Sequence, residues 1–127
     1  MNEPELAAQR LLAQDAATVP VEHTPVDARD VVEGHPTQGA QTLHVQDVVE
    51  VGVWEITSGV VEDIETEEAF VVLSGRGRIE FADGSSLALH AGTVVRLQAG
   101  DRTRWTVYET LRKLYVLLPD SAKEVTS

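Results

Sequence analysis

Glu68-Ala69-Phe70-Val71-Val72-Leu73-Ser74-Gly75, followed by Gly92-Thr93-Val94-Val95-Arg96-Leu97-Gln98-Ala99-Gly100, decides the fold. In each stretch a run of β-branched and apolar residues is bounded by glycine, the signature of a short buried strand. Strand alternation sends Glu68, Phe70 and Val72 to one face and Ala69, Val71 and Leu73 to the other. Both faces are apolar, so the strand is covered twice, as in a double sheet whose outer side packs on the N-terminal segment or on a second subunit. A homodimer is expected on that ground.

Working outward, strands read over 43–49, 51–56, 69–73, 78–82, 87–90, 94–97, 104–108 and 111–118, with no helix between them. Asp83-Gly84 lies between Ile79-Glu80-Phe81 and Leu87-Ala88-Leu89, and such a pair supplies the positive φ angles of a tight hairpin. Ser58-Gly59, Ala91-Gly92 and Ala99-Gly100-Asp101 punctuate at similar spacing, which predicts an all-β, antiparallel jelly roll. Ahead of the strands, residues 3–16 are good helix formers around Leu6, Leu11 and Leu12 and predict one short helix. Residues 18–41, with Pro20, Pro25, Gly34, Pro36 and Gly39, predict an extended surface connector holding one strand. The expected organisation is an N-terminal helical segment over 1–20, a barrel over 21–118 and a tail over 119–127.

A chain of 127 residues that is 43% hydrophobic suits one domain with one core. Its 10 Lys and Arg against 21 Asp and Glu give a net charge of −11, which repels phosphate backbones and anionic membranes. Arg76, Arg78, Arg102, Arg104 and Arg112 form no basic stripe and read as solvated barrel-end charges, so neither nucleic acid nor membrane is expected as a partner. The absence of cysteine excludes disulfides, thiolate metal sites and a cysteine nucleophile. With no basic-then-apolar leader and no apolar run of about 18 residues, the expected location is the cytoplasm.

Gly52-Val53-Trp54-Glu55, Glu67-Glu68 through Leu73-Ser74-Gly75, Asp83-Gly84, Ala91-Gly92, Ala99-Gly100, Trp105-Thr106-Val107 and Arg112-Lys113-Leu114-Tyr115 together resemble the cupin superfamily. The likeness spans residues 31–118 and is narrower to the small cupins related to the ureidoglycine aminohydrolases. It implies a double-stranded β-helix, the jelly-roll barrel of cupins, with a short N-terminal helix ahead of it. In metal-bearing cupins the first motif places two histidines shortly before a glutamate that is itself seven residues ahead of a glycine. Glu68 and Gly75 keep that last spacing, but the histidine slots fall on Glu62 and Ile64, or on Val61 and Asp63. In the second motif Gly92 and Gly100 fit, while the proline slot holds Gln98 and the last histidine slot holds Thr103. One matched carboxylate is too few donors for a transition metal, so no metal and no cofactor is expected.

The histidines do not repair the deficit. His23 and His35 read as surface residues and His90 as facing a turn, while His44 is either a hydrogen-bonded sheet residue or faces the cavity. The acidic run Glu62-Asp63, Glu65, Glu67-Glu68 reads as a solvated rim rather than a calcium loop. No serine sits on a hydrolase elbow, and no helix follows Gly75-Arg76-Gly77 to hold a phosphate.

Within the barrel, Thr103, Trp105 and Val107 share one face, and by the same parity Lys113 shares its face with Leu111 and Tyr115. If Glu68 and Lys113 both project inward they need each other, because an isolated charge in an apolar barrel is costly. The resemblance implies the same glutamate and the same Arg-Lys pair on the last strand. Two roles remain open: Glu68 as acid or base with its pKa set by Lys113, or the pair as a strut. Trp54, Glu62, Phe70, Thr103, Trp105 and Tyr115 are then the candidate ligand-binding residues, or, for the aromatics, plain core. The expected function is binding of a small polar organic molecule without a transition metal. A metal-dependent hydrolase or isomerase using Glu62 and Glu68, and a non-catalytic interaction module with a filled barrel, are the alternatives.

Overall fold

The computed structural model describes residues 3–120. A helix, α1 (Glu3–Arg10), precedes β1 (Thr24–Pro25), a 3-10 turn (Ala28–Asp30), β2 (Val31–Glu33), β3 (Thr37–Gln46), β4 (Val49–Ile56) and β5 (Gly59–Ile64). β6 (Glu68–Phe81), β7 (Ser86–Leu89), β8 (Val94–Leu97) and β9 (Arg102–Leu117) complete the chain, and every pairing among the strands is antiparallel.

Two long strands organise the barrel. The first half of β9 lies between β5 and the second half of β6, and its second half lies between β4 and the first half of β6. β6 in turn takes β8 along residues 68–71 and β7 along residues 77–80. Each long strand therefore serves two layers. One runs β1-β3-β4-β9-β6-β8 and the other β2-β5-β9-β6-β7. A single apolar cluster draws Ile56, Phe70, Leu97, Leu111 and Tyr115 from the first layer and Val61, Ile79, Leu89, Trp105 and Val107 from the second. The sheet is thus curled on itself around one core, the jelly roll that the glycine-bounded runs predict.

The sequence pattern divides β6 and β9 in two, and the structure joins them. Pairing between these strands slips at Val72, Ser74, Arg76 and Gly77, so the pleat loses its phase at the corner and alternation breaks off there. Gly75 makes the corner with φ +90°, and a Cβ on it would lie 2.1 Å from the Thr110 carbonyl oxygen. Other differences are local. β5 is absent from the strands expected, because three of its six residues are exposed and its acids mask the pattern. The turn between β3 and β4 falls at Asp47-Val48, with Asp47 at φ 55°, and not at Glu50. The Asp83-Gly84 hairpin forms, but only Gly84 is at positive φ, and Phe81 and Ser85 close a three-residue loop.

The N-terminal part is more structured than an extended connector. The helix ends at Arg10, short of residue 16, and Leu6, Leu11 and Leu12 are exposed. Beyond it, Arg112 on β9 donates from Nη1 to the carbonyls of Ala16 and Val19, at 3.1 and 2.7 Å. The chain then passes so close over β3 that a Cβ on Gly39 would lie 1.9 Å from the Glu22 carbonyl oxygen. This strap and the strand pieces β1 and β2 occupy the region expected to hold a single strand. Arg112 is 8% exposed, so it is a buried clamp and not a solvated charge; its strand neighbour Lys113 points the other way, into the barrel.

Candidate functional site

Between the two layers lies a cavity of about 360 Å³, lined by residues of β3, β4, β5, β6 and β9 and by the loop from β5 to β6. Its wall carries the buried Glu68–Lys113 pair. Lys113 Nζ donates to Glu68 Oε2 at 2.6 Å, with both side chains less than a tenth exposed. Strand parity dictates this meeting, since Glu68 heads the inward row Glu68, Phe70, Val72 and Lys113 sits between the inward Leu111 and Tyr115. The ammonium also lies 4.6, 4.5 and 5.0 Å from the ring centroids of Trp54, Phe70 and Trp105, within cation–π range of all three. Burial raises the Glu68 carboxyl above its usual 4.5, against the charge and hydrogen bond of Lys113, and the nearby Glu65 charge adds to the rise.

Glu65 is the second buried carboxylate, 7% exposed. Its Oε2 accepts from Thr103 Oγ1 at 2.5 Å and from Trp105 Nε1 at 2.9 Å. The backbone holds it there. Glu65 N–H donates to the Asp101 carbonyl at 2.8 Å, and Gly100 N–H returns a bond to the Glu65 carbonyl at 2.9 Å.

The acidic run is therefore not one solvated rim. Glu62 and Asp63 are exposed at the mouth, Glu65 and Glu68 are buried in the cavity wall, and Glu67 faces away. Glu67 accepts from Arg96 Nη2 and from the Ala99 N–H, and the Arg96 bond leads in holding its carboxyl below the usual value. Asp63 keeps solvent contact, yet the surrounding protein and then the Glu65 charge push it up to about 6.

The remaining candidates distribute as follows. Trp54 and Trp105 meet edge to face at 5.5 Å and line the cavity, with Trp54 Nε1 donating to Gln38 Oε1 at 3.2 Å. Tyr115 also lines it, and its hydroxyl donates to Glu50 Oε2 at 2.6 Å; burial and that carboxylate push its pKa up to about 12. Phe70 lies behind Trp105, at 5.8 Å, in the core. Thr103 acts behind Glu65, and Glu62 stands at the mouth 3.6 Å from Arg104.

No histidine lines the cavity. His23 is half-buried on the outer face, where its Nδ1 lies 2.9 Å from Thr37 Oγ1 and its Nε2 2.7 Å from Glu55 Oε1, so it is not a free surface residue. His35 and His44 are exposed, and the exposed His90 ring contacts the Ala91 carbonyl. Among the described residues, no three His, Cys, Asp or Glu side chains converge as a metal site.

The double-layered barrel and the glutamate-to-glycine spacing on β6 define a small cupin. The sequence signature of the EutQ-like cupin domain matches residues 43–115, more than half of the chain. The chain belongs to this EutQ-like cupin family. Among solved structures, a protein of unknown function of the DUF861 family from Pseudomonas syringae superposes with a TM-score of 0.68 at 23% identity, over 82% of this chain and 46% of that one. The chain thus spans about half the length of that relative. The EutQ protein of Clostridium difficile superposes with a TM-score of 0.67 at 18% identity, over 84% of this chain and 86% of that one. The cupin domain of Schizosaccharomyces pombe Cnp3 gives 0.66 at 12% identity, over 92% of this chain and 80% of that one. At these identities the likeness is one of fold. No curated protein matches the chain. The narrower likeness to the ureidoglycine aminohydrolases rests on the sequence motifs alone.

Proposed function

We propose that the protein binds a small polar organic molecule in the barrel cavity without a transition metal, with Glu68 and Lys113 at its centre. The observation that carries this is the 2.6 Å ion pair in the cavity wall. Glu68 is the residue matched to the glutamate ligand of metal-bearing cupins, and here an ammonium sits on it. The donor set agrees, because the cavity offers carboxylates and no imidazole. A cavity of about 360 Å³ falls within the range of ligand sites, roughly 300–1,000 Å³, and its aromatic wall with a few convergent polar groups is their usual composition. An interaction module whose barrel is only a core would need no such space.

Lys113 fixes the Glu68 carboxyl while burial raises its pKa, which suits a group that accepts or returns a proton from a bound molecule. The protein would act in the cytoplasm as a homodimer. The dimer is supported by the half-exposed outer row Ala69, Val71, Leu73 on β6 beside Val94, which is 74% exposed. No helix among the described residues is long and apolar enough to cross a membrane.

Elemental analysis of protein purified without affinity tag or chelator tests the proposal, normalised per chain. The expected result is less than a tenth of an equivalent of manganese, iron, nickel or zinc. A full equivalent lost in Glu68→Gln would replace this function with the metal-dependent alternative.

A further inference from the structure

Among the described residues, Glu65 lacks a countercharge. It is 7% exposed, its donors Thr103 and Trp105 are neutral, and no described cation forms an ion pair with it. Both of its hydrogen bonds fall on Oε2, just as the Lys113 bond to Glu68 falls on Oε2. The two Oε1 atoms receive no donor from the described residues, and no fully buried side-chain oxygen among those residues lacks a partner. Those oxygens therefore face accessible space, and the space their residues line is the cavity. Asp30, Glu62, Asp63, Glu65 and Glu68 line its wall and mouth with one base, Lys113, which Glu68 already engages; at the mouth Arg29 and Arg104 stand 3.6 Å from Asp30 and Glu62, so the cations near the cavity are spent on acids other than Glu65.

We propose that this cavity selects a small organic cation, an ammonium compound whose N–H donors bind Glu65 Oε1 and Glu68 Oε1 while its carbon frame lies against Trp54 and Trp105. The proposal rests on the ligand-binding function above and narrows it to a class. A buried carboxylate held only by neutral donors is stabilised by an arriving cation more than by any neutral guest, and an anionic guest meets uncompensated repulsion. The π position between Trp54, Phe70 and Trp105 is already filled by the Lys113 ammonium, so the free oxygens rather than the rings seat the nitrogen.

Three probes with one carbon frame and different charge test this: benzylammonium, benzyl alcohol and benzoate. Each is titrated into the wild-type protein while the indole N–H signals of Trp54 and Trp105 are followed by NMR. Benzylammonium is expected to shift both signals saturably, at least tenfold more tightly than benzyl alcohol, with benzoate silent. Glu65→Gln, which keeps an acceptor for Thr103 and Trp105, is expected to weaken benzylammonium about tenfold and leave benzyl alcohol unchanged. If that variant does not fold, the wild-type salt dependence decides, with affinity for benzylammonium alone falling as ionic strength rises. Equal or tighter binding of benzyl alcohol or benzoate would overturn the cation preference and leave the ligand-binding function standing. Silence from all three, and from a wider set of small polar molecules, would overturn both.

Discussion

Where β4 pairs with β9, Glu55 and Arg112 meet at 2.9 Å on the outer face, and one residue along, Lys113 meets Glu68 at 2.6 Å on the inner face. The two pairs are back to back on the same strand and differ in almost every consequence. Burial alone would raise the Glu55 carboxyl, but hydrogen bonds from His23 and Arg112, with their charges, hold it below 4.5. Among the described residues Glu68 has a single donor; it lies deeper, is influenced by the Glu65 charge, and is raised. The outer carboxylate is thus saturated with donors and works as a clasp, with Arg112 gripping the strap as well. The inner one keeps an oxygen free and a proton within reach. Donor count, more than the presence of a cation, separates a strut from a poised group.

The two carboxyls pull the pH dependence of stability in opposite directions. The Glu55 contribution is fully present above 4.5 and is lost as pH falls through its lowered folded value. The Glu68 contribution is fully present below 4.5 and is lost as pH rises through its raised folded value.

The largest expected effect is on the inner pair. Lys113→Met leaves Glu68 buried without a partner and should cost about 3–5 kcal/mol in denaturant unfolding at pH 7, less near pH 4 where Glu68 takes a proton. A cost below about 1 kcal/mol would make the pair solvent-exposed and break the contrast. Arg112→Met comes next, at about 2 kcal/mol, because His23 still donates to Glu55 and water reaches it. Its distinguishing result is faster hydrogen exchange along residues 16–23, with the cavity's indole signals unmoved. Smallest is Arg76→Ala, which removes a 3.2 Å pair to Glu109 whose partners are both more than half exposed. It should stay within about 0.5 kcal/mol and sets the floor for the other two.

The inner face was legible in the sequence because period-two alternation fixes it. Glu68 with Phe70 and Val72, and Lys113 with Leu111 and Tyr115, follow from parity once strands are granted. The outer face was not, since nothing in Arg112 says that a strap whose carbonyls lie 96 and 93 residues upstream will close over it. Glu65 was hidden for another reason. Five acids in seven positions look solvated, and beside Glu68, which parity places, only the pinning of residue 65 by Asp101 and Gly100 turns Glu65 inward. A signal did exist in Thr103-Arg104-Trp105, where two inward donors two residues apart require an acceptor. The single long strands β6 and β9 were read as pairs because a bulge erases alternation at the very corner it builds.

The most direct test of the account is a carbon-13 NMR titration that follows the side-chain carboxyls of Glu68 and Glu55 in the same sample. The account predicts a Glu68 midpoint above 4.5 and a Glu55 midpoint below it. A Glu68 midpoint at or below 4.5 would contradict it, since the inner pair would then be a second clasp and the cavity would have lost its poised group.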